Sequence, residues 1–106
     1  MKLLVAVVHE QDAARSIEAL GQQGFSVTRL NSEGGFLERK NSILLMGTDD
    51  SLVEEAVRTL RTVCRPRHEQ LGASRVRGGA DHGADVEVEI GRATVFVLDL
   101  GRVERL

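Results

Sequence analysis

A chain of 106 residues with three Phe, no Tyr and no Trp amounts to one domain, whose core has to be built from Val, Leu, Ile and Ala. Its formal net charge of -2, from 14 basic and 16 acidic residues, excludes the broad basic surface that binding to DNA or RNA requires. A single cysteine, Cys64, excludes an internal disulfide, and no apolar run approaches the roughly 18 residues of a membrane span.

Lys2 to His9, "KLLVAVVH", is a near-continuous, Val-rich apolar run and predicts a strand buried on both faces. The following "EQDAARSIEALGQQG" puts Ala13, Ala14, Ile17 and Leu20 at helical spacing, with Glu10 and Asp12 at the positive end of the helix dipole. Gly21 and Gly24 are both candidates for the residue that ends this helix. Phe25 to Leu30 reads as a strand, and Ser42 to Gly47, "SILLMG", as its hairpin partner. The loop between them, about residues 31–41, is longer than the commonest hairpin connections, and such loops often carry function.

"TDDSLVEEAVRTLRTVC" is the clearest helix, with Val53, Ala56, Val57, Leu60 and Cys64 in one stripe. Ser51 and Glu54 have capping-box spacing, although Asp49 or Asp50 could cap instead. Pro66 stops the helix, and residues 65–85 read as a second long loop rich in Gly and Arg. Val86 to Ile90 alternates as a strand, Gly91 and Arg92 can turn a hairpin, and "ATVFVLDL" forms a last strand. The order is β-α-β-β-α-β with an additional C-terminal strand: an α+β, ferredoxin-like sandwich in a single domain, 1–106. So short a chain buries a modest share of its surface, which favours a homo-oligomer. The N-terminal segment lacks the features of a signal peptide, and with one free cysteine this places the protein in the cytoplasm.

Little here reads as catalytic. His9, His68 and His82 stand far apart, with no Cys or His at zinc-ligand spacing, and no nucleophile is paired with a base. Cys64 falls on an apolar stripe and reads as a small core residue. No enzyme activity, metal or cofactor is expected. Arg58, Arg61, Arg65, Arg67, Arg75 and Arg77 cluster mid-chain, either as a solvated face or as a seat for a small anion. In "NSEGGFLERKN", Gly34 and Gly35 let the backbone approach a ligand closely or adopt positive φ. Phe36 and Leu37 then offer a platform for a nucleobase, and Asn41 has the donor and acceptor to read a base edge. Alternatively, Phe36 and Leu37 fold back onto the core or bury at a subunit interface.

"GGFL", then three residues and Asn41, then an apolar strand ending in "GTDD", resembles the PII-like cyclic di-AMP receptor family, as do "MKLLVAVV" and "VEVEIGRATVFV". The resemblance implies a ferredoxin-like protomer that assembles as a homotrimer, with ligand in the clefts between subunits. It implies an adenine near Phe36 and Leu37, phosphates held by backbone amides and polar side chains, and a site comprising Thr28, Gly35, Phe36, Leu37, Asn41 and Gly47. It further implies loops that reorder on binding and signal to a downstream protein. Departures are visible. Gly24 and Ser26 stand where the family has Asn and Arg, Lys40 replaces a Gly, and Ser42 and Ile43 replace a Thr pair. Three readings follow: a cyclic di-AMP sensor, a sensor of another adenine nucleotide such as ATP or ADP, or a small enzyme or ligand-free trimeric scaffold on the same fold.

Overall fold

The structure is a computed structural model that describes residues 1–31, 41–71 and 86–106. Alternation along β1 (Lys2–His9) makes it the central strand. Leu4, Ala6 and Val8 are fully buried on one face, whereas Leu3, Val5 and Val7 on the other are only half-buried. The expectation of a strand buried on both faces is therefore corrected for the single chain: helices cover one side of the sheet and nothing among the described residues covers the other.

His9 ends β1 and caps α1 (Glu10–Gln22), its Nδ1 accepting the Gln11 backbone N–H at 3.1 Å. The helix closes at Gly24, whose φ of 95° is open to glycine at little cost. Phe25 N–H donates to the Leu20 carbonyl at 3.1 Å and Gly24 N–H to that of Gly21 at 3.0 Å. That is the Schellman pattern, and it draws Phe25 and Val27 against the core. The next strand, β2 (Thr28–Asn31), consequently begins later than the pattern at Phe25 predicted.

After β3 (Asn41–Thr48), a 3-10 turn over Asp50–Leu52 leads into α2 (Val53–Val63). The expected stripe holds, with Ala56, Leu60 and Cys64 buried and Val53 and Val57 packed beside them. The capping box does not form. Ser51 is taken into the 3-10 turn, and Leu52, the N-cap, makes no side-chain capping bond.

β6 (Thr94–Asp99) completes a four-stranded antiparallel sheet of order β2-β3-β1-β6, with β1 between β3 and β6. This is the split βαβ arrangement of a ferredoxin-like α+β sandwich, as expected. The allocation of the last strands differs from the sequence reading. β4 (Arg67–Leu71) lies inside the stretch read as a loop and pairs with β5 (Val86–Ile90) in a separate two-stranded sheet. The additional strands are thus this pair, and the C-terminal strand is integral to the main sheet. Gly91 and Arg92 turn no hairpin, because β5 and β6 belong to different sheets. Alternation alone identifies a strand but not its partner.

Two local features tie the small sheet to the large one. Asp12, in the first turn of α1, is 0% exposed and accepts from Arg15 Nη2 at 2.7 Å and from Arg67 Nη2 and Nη1 at 3.1 and 3.2 Å. Arg67 Nη1 also donates to the Arg65 carbonyl at 3.1 Å. Gly91 is buried with φ 93°, and a Cβ there would lie 2.2 Å from the Arg65 carbonyl oxygen. The chain therefore crosses itself where only glycine fits.

Gly91→Ala combines a disfavoured φ with a backbone clash and should cost at least about 2 kcal/mol, a fall of roughly 8–16 °C in thermal midpoint. A midpoint unchanged from wild type would contradict the crossing. Asp12→Asn leaves two guanidiniums without their buried carboxylate and should cost about 2–4 kcal/mol, because both arginines also reach solvent. Hydrogen exchange checks it: amides of β4 and β5 should lose protection more than those of β1 and β3.

Candidate functional site: the uncovered sheet face

Side chains alternate along β3. Ser42, Leu44, Met46 and Thr48 are buried under the helices, so Asn41, Ile43, Leu45 and Gly47 point to the uncovered face. Register extends that face across the sheet. Leu3, Val5 and Val7 of β1 stand opposite Gly47, Leu45 and Ile43. Thr28 and Leu30 of β2 stand opposite Leu45 and Ile43, and Phe96 and Leu98 of β6 opposite Val5 and Leu3. Phe96 and Leu98 are 53% and 48% exposed and Leu30 is 44% exposed. A contiguous apolar face of this kind is unusual on a monomer's surface and marks a binding or assembly face.

Three of the six residues singled out in the sequence, Thr28, Asn41 and Gly47, therefore share one face. They do not share one point on it. Thr28 and Gly47 are diagonal neighbours across β2 and β3, roughly 7–8 Å apart. Asn41 stands at the far end of β3, opposite His9 and about 20 Å along the strand from Gly47. Gly35, Phe36 and Leu37 lie outside the described residues, as does most of the first loop.

Among the described residues nothing requires glycine at position 47. A Cβ there would meet Leu100 Cδ1 at 3.7 Å and the Lys2 carbonyl oxygen at 3.9 Å, ordinary contacts, and its φ is not in the left-handed region. At the same end of the sheet, a hydrogen bond to Asp99 and the charge of Asp50 raise the pKa of Lys2. The carboxyl of Asp50 is held below its usual range, chiefly by the Met1 ammonium at 2.8 Å.

The positions that depart from the family pattern are legible too. Gly24 takes the left-handed conformation at the helix end, where the family's Asn is the next most tolerant residue, so the exchange keeps the backbone path. Ser26 is exposed and supplies no cation. Ser42 is buried on the helix side and holds Arg29 Nη2 at 3.2 Å, whereas Ile43 adds apolar surface to the open face. Cys64 is in the core with its sulfur 3.4 Å from Ser16 Oγ, and burial raises its pKa. Among the described residues no three His, Cys, Asp or Glu side chains gather as metal ligands, and no helix is long and apolar enough to cross a membrane. Sequence reasoning missed the pairing of Asp12 with Arg67, because residues 55 positions apart carry no periodic signal.

Comparison with known proteins agrees with the fold. The sequence model of the cyclic-di-AMP receptor family matches residues 1–106, the whole chain, and the chain belongs to that family. A functionally unknown protein from Pediococcus pentosaceus ATCC 25745 superposes with a TM-score of 0.75 at 27% identity, over 99% of this chain and 96% of that one.

Proposed function

We propose that the protein is a cytoplasmic, PII-like signal-transduction protein. In this reading it binds cyclic di-AMP in the clefts between the subunits of a homotrimer. The observation that carries the reading is the uncovered face that Thr28, Asn41 and Gly47 share with half-buried and exposed apolar residues. Packing these faces together would cover Val5, Leu45 and Phe96 and supply the second wall that β1's apolar sequence calls for. The distance between Asn41 and Gly47 fits a ligand that meets one end of β3 from one subunit and the other end from its neighbour. Phe36 and Leu37 supply the stacking surface for an adenine, Gly35 and Gly47 allow close approach, and Asn41 and Thr28 offer polar groups. The protein acts without turnover. Ligand that binds two arrangements of the first and second loops unequally shifts their populations, and a downstream protein reads the change.

The exposed Ser26, in place of an arginine, favours a second reading in which the same cleft takes ATP or ADP. A thermal-shift panel with cyclic di-AMP, cyclic di-GMP, ATP, ADP and AMP separates the two. Ligand at about 100 times its Kd stabilises the folded state by about 2.7 kcal/mol, a readable shift. A response to cyclic di-AMP and none to the mononucleotides is the expected outcome, and a response to ATP or ADP alone would replace the ligand.

Two variants probe the wall and the missing cation. Phe36→Ala should weaken cyclic di-AMP binding by calorimetry while light scattering still reads a trimer; dissociation to monomers would make Phe36 an interface residue instead. Ser26→Arg restores a charge-assisted bond of roughly 1.5–3 kcal/mol and should tighten binding about ten- to hundredfold. Unchanged affinity would mean that position 26 does not reach the ligand.

A further inference from the structure

The arginine cluster of the middle of the chain is not absorbed by the uncovered face. Arg75 and Arg77 lie outside the described residues, and the other four are dispersed over the helix side of the fold. Arg58 borders a groove with Gln23 and Thr59, Arg61 borders another beside Cys64 and Val95, and Arg65 and Arg67 converge with Arg15 on a third. This third groove, of about 510 Å³, lies between the first turns of α1, the end of α2 and the start of β4, and Thr62 and Val63 also line it. Three guanidiniums line it, and among the described residues the one carboxylate paired with them is the buried Asp12, which leaves two positive charges.

The donors are divided unequally. All four Nη hydrogens of Arg67 are committed, to both oxygens of Asp12, to the Arg65 carbonyl and to Gln11 Oε1 at 3.4 Å. Arg67 thus contributes charge and position. Arg15 spends one Nη2 hydrogen on Asp12, and its side chain is 64% exposed, so its remaining N–H groups face solvent. Arg65 is exposed and follows directly on the end of α2. Because Asp12 is buried and grips Arg15 and Arg67 together, two of the three cations are held in place before any ligand arrives, which lowers the entropy cost of binding. Guanidiniums arranged in this way suit the oxygens of phosphate groups.

We infer that this groove is an anion site, separate from the uncovered face, that takes a di- or triphosphate group through Arg15 and Arg65 while Arg67 positions them. It goes beyond the nucleotide-binding reading above and does not require it. The groove opens on the helix side, whereas Asn41 points to the opposite side of the same end of the sheet. Phosphate bound there would touch α1, α2 and the root of the β4–β5 pair at once.

Isothermal titration of the full chain with inorganic pyrophosphate and inorganic triphosphate tests the site, with ATP and adenosine as further arms. The expected result is saturable binding that weakens with added salt and falls about tenfold in Arg65→Ala and in Arg15→Ala. Among the described residues Arg65 makes no side-chain contact that the fold depends on, so Arg65→Ala should keep the wild-type thermal midpoint. Triphosphate and ATP binding in either rank order supports a phosphate seat and tells a free phosphate from one carried on a nucleotide. Adenosine binding as well as ATP, no saturation in the millimolar range, or an Arg65→Ala that binds as wild type overturns it. So does displacement of pyrophosphate by one equivalent of cyclic di-AMP, which would make the groove part of the dinucleotide's own site. Should cyclic di-AMP not bind at all, the pyrophosphate titration still reads the groove, so the two ideas fail separately.

Discussion

The pairing of β1 with a neighbour on each side is the constraint on which the remainder rests. Lys2 to His9 is hydrogen-bonded to β3 along its whole length and to β6 along most of it. Its alternation then decides which residues of three strands face the helices. Leu4, Ala6 and Val8 collect Leu44 and Met46 beneath α1 and α2, with Leu20 and Leu60 closing the core. The opposite residues, Leu3, Val5 and Val7, pull Ile43, Leu45, Phe96 and Leu98 onto the other face. A one-residue slip of β3 against β1 would turn Asn41 and Gly47 under the helices, and a slip of β6 would do the same to Phe96 and Leu98. The open face and the core are two sides of one register.

The end of β1 sets a second relation. His9 caps the helix that follows, and three residues on, Asp12 sits in the first turn of α1, fully buried. A buried carboxylate needs cations, and Arg67 supplies one from a strand far along the chain. That contact, together with the close crossing at Gly91, roots the β4–β5 pair at the end of the sheet where Asn41 lies. The first and second loops therefore start from the same end of the fold.

The helices were the most legible elements. The stripe of Val53, Ala56, Val57, Leu60 and Cys64 and the glycine stop after Leu20 are local patterns, and local patterns survive into the structure. The family resemblance was carried by short motifs and holds over the whole chain. Of the site it implied, the sequence marked Thr28, Asn41 and Gly47, and register puts all three on one face. Their separation along that face was not legible, since spacing in sequence becomes distance only when the strand and its partners are known. The strand at Arg67 escaped notice because "RHEQL" has neither clean alternation nor β-branched residues. It is a strand because β5 pairs with it.

What the sequence determined by itself is what depends on neighbours a few residues away: two amphipathic helices, apolar strands and an α+β order. Periodicity and backbone stereochemistry act at that range. Partnership was decided only by the tertiary structure. It chose β6 over β5 as the neighbour of β1, joined Asp12 to Arg67, made Gly91 a crossing rather than a turn, and left one face of the sheet apolar and uncovered by the described residues. Each of these is a contact between residues distant in the chain. Such contacts are fixed by which packing buries the most apolar surface while every buried polar group finds a partner, and no single segment contains that information.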